Sequence, residues 1–107
     1  MDAIAWAAGF YEGEGSCGCY NVKGYESLRL VISQAEPEPL IRFKDALGFG
    51  KIYGPYPYRN RPTRKPIWHY KLARAGEIMT AISALWPWLS RRRKDQFAAA
   101  MKKWRGY

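Results

Sequence analysis

Apolar positions along the chain fall into two rhythms, one helical and one alternating. Residues 2–13, DAIAWAAGFYEG, carry no charge from Ala3 to Tyr11. They predict a helix that Asp2 caps and that Gly13 and Gly15 stop. A helix apolar all round needs burial on more than one side. Residues 16–23 and 26–34 change to period two, with Leu28, Leu30 and Ile32 alternating with Arg29, Val31 and Ser33. That predicts a hairpin turning at Gly24, one face on a core and the other open. Helical spacing returns in EPEPLIRFKDALG, with Pro37 and Pro39 in the opening turn, Leu40, Phe43 and Leu47 on one stripe, and Gly48 as terminator. A second hairpin is predicted over 50–54 and 66–73, where Trp68, Tyr70 and Leu72 alternate with Ile67, His69 and Lys71. Two helices finish the chain, over about 76–86, ended by Pro87, and about 90–105, capped by Ser90 with Phe97, Met101 and Trp104 as its stripe.

The predicted order is α-β-β-α-β-β-α-α in one domain spanning 1–107. Strand pairs separated by a helix imply an α+β fold, one four-stranded antiparallel sheet with helices on a single face. The other face is then open, and alternation assigns it Tyr20, Arg29, Lys51, Tyr53, His69 and Lys71. Trp86, Trp88 and Trp104 are expected in the helix packing. Cys17 and Cys19 share one strand face and are expected inside.

Charge sharpens the picture. The 107 residues hold 18 Lys plus Arg against 9 Asp plus Glu, a formal net charge of +9. None of the basic residues precedes Lys23, while Asp2, Glu12 and Glu14 all do. A basic body with an acidic start points to a polyanionic partner, nucleic acid before an acidic membrane surface. An apolar content of 48% excludes disorder. No apolar run is long enough to span a bilayer. The start lacks the basic region of a secretory signal, and two cysteines are too few to staple a fold, so the expected location is cytoplasmic or organellar, not secreted. One histidine and two cysteines make a poor zinc set.

Basic residues also cluster outside the sheet. The segment PYPYRNRPTRKP holds Arg59, Arg61, Arg64 and Lys65 and no acid, the composition of an arm on DNA phosphates. Arg91, Arg92 and Arg93 open the last helix, at the positive end of its dipole. A charge run is ordinarily a solvated face, but cations are unfavourable there, so a nearby anion is expected, with a phosphate contact by at least one of them as the second reading.

The first helix is the most informative feature. Ala5, Gly9 and Gly13 sit four apart and form a smooth strip where another helix backbone can come close. Glu12 and Glu14 stand at the helix C-terminus, where an exposed carboxylate costs about 0.3–1 kcal/mol. They point too far apart around the axis to pair within one chain. An ordinary buried helix with a solvated acidic end is one account. Another is that Glu14 meets its own copy across a two-fold axis, with hard divalent cations neutralising the cluster.

Residues 7–15, AAGFYEGEG, resemble the nonapeptide that names the LAGLIDADG homing endonucleases, with Ala8, Gly9, Glu12, Glu14 and Gly15 on its most diagnostic positions. One such motif in one short chain resembles the homodimeric subclass. The resemblance implies the αββαββα saddle fold and a subunit contact through Ala5, Ala8, Gly9 and Glu12. It also implies Mg²⁺-dependent cleavage of a palindromic or near-palindromic double-stranded DNA target, with no small-molecule cofactor. Glu14 falls on the metal-binding carboxylate, with the Gly13 carbonyl as accessory ligand. Gln34 falls where a polar residue orders water, and Arg92 or Lys94 where a cation stands near the scissile phosphate. Tyr20, Arg29, Lys51, Tyr53, His69 and Lys71, with Arg59, Arg61, Arg64, Lys65 and Arg91, are the candidate DNA contacts. Two departures stand out. The motif acids are Glu rather than Asp, and Ala35-Glu36-Pro37-Glu38 follows Gln34 where the family often has a basic residue. The alternative is a non-cleaving nucleic-acid-binding protein of the same fold, such as an intron-RNA splicing maturase or a DNA-binding regulator.

Overall fold

The computed structural model describes residues 2–57 and 65–105. Its elements are α1 (Ala3–Glu14), β1 (Gly15–Val22), β2 (Tyr25–Gln34), α2 (Glu38–Leu47), β3 (Lys51–Tyr56), β4 (Ile67–Leu72), α3 (Ala75–Leu85), a 3₁₀ turn (Trp86–Trp88) and α4 (Arg91–Arg105). The four strands form one antiparallel sheet in the order β1-β2-β4-β3. The helices cover one face, and the molecule is only 23 Å thick, the depth of a sheet and one helix layer. Among the described residues no helix is long and apolar enough to cross a membrane.

Alternation sets which face is which. Cys17, Cys19, Leu28, Leu30, Ile32, Tyr70 and Leu72 point to the helices and are buried. All of these but Cys19 form one core with Ala7, Ala8 and Tyr11 of α1, Leu40 and Phe43 of α2, Ile78, Ala81, Ile82 and Leu85 of α3, and Ala100 of α4. Burial of the apolar face at about 25 cal/mol per Å² is what holds sheet and helices together. The Phe43 ring stands edge-on to Tyr70 at 5.0 Å, and the Tyr70 hydroxyl donates to the Phe49 carbonyl at 2.8 Å.

Element ends differ from the expected ones by one or two residues, each for a local reason. Gly13 does not stop α1; the helix runs through it to Glu14, and Gly15 ends it by donating its N–H to the Tyr11 carbonyl. No linker separates α1 from β1. A side chain at Gly15 would strike the Tyr11 ring, so this junction requires glycine. β1 ends at Val22 because Lys23 and Gly24 form the turn at φ 52° and 86°. β3 extends past Gly54 to Tyr56, where an irregularity in register lets Tyr56 pair with Ile67. β4 is correspondingly shorter, Ile67–Leu72, and α3 begins and ends one residue early. α2 closes on Gly48 at φ 90° as expected. Trp86 and Trp88 are 39% and 49% exposed rather than core: Pro87 turns the chain into a 3₁₀ step whose two indoles stand at the surface. Trp104 packs against the core.

Candidate functional site

Two features compete for attention: the acidic end of α1 and the open face of the sheet. At the first, Glu12 turns inward. Its two carboxylate oxygens accept from the backbone N–H and the hydroxyl of Ser90, both at 2.7 Å. Ser90 in turn caps α4 by accepting the Arg93 N–H at 3.2 Å. Arg93 is 7% exposed, and its Nε donates to the Glu12 carbonyl at 3.0 Å. Its Nη1 donates to Gln96 at 3.0 Å, and its guanidinium lies 5.7 Å from the Tyr11 ring centre. The Ser90 backbone and hydroxyl bonds hold the Glu12 carboxyl below the ordinary carboxylate value, helped by Arg93 and Arg92 against partial desolvation.

Glu12 is a strut between α1 and α4 of its own chain, and its carboxylate is an anion beside the arginines that open α4. Arg92 lies 3.8 Å from Glu12, and Arg91 pairs with Asp95 at 3.4 Å; both are largely exposed, where such pairs contribute little. Lys94 lies over the Trp86 ring, 5.1 Å from its centre.

Glu14 turns the other way. It is exposed, and among the described residues it makes no hydrogen bond or ion pair. Gly9 and Gly13 are exposed on the same helix, and a Cβ at either meets nothing. Among the described residues, no packing requires glycine there. Ala5 is half-buried, whereas Ala8, expected at the contact, is fully buried in the core of this chain. The open strip is Ala5, Gly9 and Gly13. Gly15 pairs with Ile32, so Glu14 and Gln34 stand one and two residues past that pair, at one end of the sheet.

Among the described residues no group of three His, Cys, Asp or Glu is placed to hold a metal ion. The donor chemistry at the end of α1 nevertheless fits a hard divalent cation: a free carboxylate beside the exposed carbonyl end of a helix. One chain supplies only part of such a ligand set.

The open face carries the residues that alternation assigned to it, in cross-strand rows. Tyr53, His69 and Ser33 form one row, and Lys51, Lys71 and Val31 the next. Arg29 lies beside Gly18, which the Tyr20 ring covers. The described positions of this face hold no acid. Ser33 was not singled out by sequence, although its place in the alternation beside Arg29 and Val31 marks it. Its hydroxyl and His69 Nδ1 are hydrogen-bonded at 2.7 Å. Burial, and secondarily Lys71, lower the His69 value, which keeps the ring neutral at neutral pH. The Tyr56 ring lies 5.6 Å from it, and the Lys71 ammonium 5.6 Å from the Tyr53 ring centre. Lys65 pairs with Glu36 at 2.8 Å, so it brings a cation to the acidic stretch after Gln34. Arg59, Arg61 and Arg64 lie outside the described residues. Arg74 is not marked by the sequence pattern, and Arg93 is not distinguished there from Arg91 and Arg92, because only a contact 81 residues away gives it its separate role.

By sequence the chain matches no family profile and no curated protein. Solved structures are similar in fold. Homing endonuclease I-CvuI, in complex with DNA in the presence of Mg, matches at TM-score 0.66 and 18% identity over 95% of this chain and 63% of that one. LAGLIDADG meganuclease I-AabMI, bound to uncleaved DNA, matches at TM-score 0.70 and 23% identity over 99% of this chain and 38% of that one. LAGLIDADG homing endonuclease I-GzeII, in complex with its DNA target, matches at TM-score 0.63 and 25% identity over 92% and 35%. The chain thus spans less than two thirds of the length of these proteins. Its fold is that of the LAGLIDADG homing endonucleases.

Proposed function

From that fold, we propose that the protein is a site-specific DNA endonuclease that works as a homodimer on a palindromic or near-palindromic duplex and needs a divalent cation, Mg²⁺ in the cell. The observation that carries this is the state of Glu14. It is a carboxylate at the unfavourable end of a helix, without a partner among the described residues, next to an open strip of small residues and at the end of a basic sheet face whose described positions hold no acid. A second copy docked on Ala5, Gly9 and Gly13 brings a second Glu14 to the first. The I-CvuI structures, obtained with DNA in the presence of Mg or Ca, agree with a divalent metal.

In this reading Glu14 and the Gly13 carbonyl hold the cation, which when bound lowers the pKa of water and stabilises the leaving 3′-oxygen. Gln34 orients solvent at the same end of the sheet. Arg92, tethered only weakly to Glu12, is the better placed of the two candidate cations to swing onto a phosphate. Lys94 is occupied on Trp86. The sheet face lies along the DNA, and the basic side chains neutralise phosphates.

The test is cleavage selection from a randomised palindromic duplex library with Mg²⁺, repeated with Glu14→Gln. Wild type should cut and enrich one sequence. Glu14→Gln should lose cleavage by about 10³-fold or more while binding the enriched duplex within a few fold. Cleavage retained by Glu14→Gln sinks the assignment of Glu14. Sequence-selective binding by wild type without cutting favours the non-cleaving alternative.

A further inference from the structure

The open face has one recess that pairing with the fold leaves unsatisfied. Arg29, Lys51, Lys71 and Arg74 line it, with Tyr53 beside them and Glu77 as the only acid on its lining among the described residues. Lys51 and Lys71 are direct cross-strand partners, an arrangement that like charges make unfavourable. Arg29 stands one residue past the Leu30–Leu72 pair. Its Nε is buried with no hydrogen-bond partner. Among the described residues no acceptor of this chain meets that nitrogen. Four cations around one carboxylate need acceptors from outside.

We propose that this recess reads guanine: the Arg29 guanidinium, with Lys71 alongside, donates to O6 and N7 of one guanine in each half of the DNA target. The proposal rests on the DNA-binding reading above and adds a base identity to it. Guanine is the base whose major-groove edge shows two acceptors side by side, which suits a cluster offering only charged donors. The neighbouring row of Ser33, His69 and Tyr53 mixes donors and acceptors and carries no such preference.

Position favours a base over a phosphate. Four strands spaced about 4.8 Å apart cover roughly 14 Å, close to the roughly 12 Å width of the major groove. The edge strands then meet the phosphates on either side, and the inner strands face base edges. Arg29 and Lys71 are on β2 and β4, the two inner strands. Lys51 on edge strand β3 and Arg74 beyond β4 fall toward the rim.

The test is enrichment of a randomised duplex library by binding in Ca²⁺, with wild type, Arg29→Gln and Arg29→Ala. Wild type should enrich a guanine at one position of each half-site. Arg29→Gln should move that position to adenine, whose N6 and N7 suit an amide, and leave the rest of the site alone. Arg29→Ala should flatten the position and weaken the guanine duplex by about tenfold or more. A second measurement needs no variant: replacing that guanine by 7-deazaguanine, which lacks the N7 acceptor, should weaken binding by wild type. An unchanged site bound more weakly by both variants at every sequence means a phosphate contact and overturns the proposal, as does a relaxed position that was never guanine or indifference to the deaza base. If wild type enriches no sequence at all, the site-specific reading fails, and the guanine assignment with it.

Discussion

Glu12 and Glu14 are two residues apart on the last turn of α1 and meet opposite surroundings. Glu12 faces α4. It sits at the negative end of one helix but also at the positive end of another, where Ser90 gives it two hydrogen bonds and Arg93 grips its own carbonyl. Glu14 faces outward, with exposed Gly13 beside it, exposed Gly9 one turn earlier and no partner among the described residues. The macrodipole penalty of α1 applies to both carboxylates. The chain itself offsets it for Glu12 and leaves it standing for Glu14. A carboxylate satisfied internally is part of the fold. One held out at a cost is available to a cation, a second chain or both.

The sharpest way to break this contrast is to exchange the losses. Glu12→Ala leaves the Ser90 N–H and the α4 start without their acceptor and removes a charged hydrogen-bond partner. It should lower the unfolding free energy by about 2–3 kcal/mol, measured by urea denaturation. Glu14→Ala should leave stability unchanged within about 0.5 kcal/mol, or raise it slightly. The division of the turn into a structural and a functional side is wrong if Glu14→Ala is the more destabilising of the two.

Much of this was legible from the chain alone. Alternation placed Tyr20, Arg29, Lys51, Tyr53, His69 and Lys71 on one face, because strand geometry depends only on neighbours in sequence. The open strip at Ala5, Gly9 and Gly13 was legible for the same reason, since helical spacing decides who shares a side. What spacing does not decide is which side of a helix meets the chain's own core. Ala8 is therefore expected outward and lies inside, and spacing gives no sign that Glu12 bonds Ser90 of its own chain, 78 residues on. Arg93 looked like one cation of three; burial against Tyr11 and Gln96 singles it out. Such assignments are set by tertiary contacts that leave no local period in the sequence.

A smaller effect sharpens the outer side. A Cβ at Gly9 touches none of the described residues, so Gly9→Leu should leave the monomer folded, and helix propensity alone makes it up to about 1 kcal/mol more stable. On the proposed dimer the same side chain stands where another backbone must approach. Sedimentation equilibrium should then show self-association weakened by about tenfold or more. An unchanged association constant would mean that copies meet through another surface, and Glu14 would no longer be brought to its twin.

The smallest expected effect concerns pH and separates the two carboxylates without changing the outer surface. Ser90, Arg93 and Arg92 lower the Glu12 value below the ordinary 4.5. A depressed carboxylate adds stability that is complete above its unfolded value and is lost as the pH falls from there through its folded value. His69 acts in a separate window. Its value is lowered from 6.5 by burial and by Lys71, so its contribution is full above 6.5 and begins to fade just below. Wild type and Glu12→Gln share the His69 window, so their difference in unfolding free energy isolates Glu12. That difference should be largest near about pH 7, hold to about pH 5, and shrink steadily toward about pH 3. A difference that stays constant down to the acid end would show that Glu12 holds α4 through its shape and neutral hydrogen bonds rather than its charge. The inner side of the turn would then owe nothing to the arginines that face it.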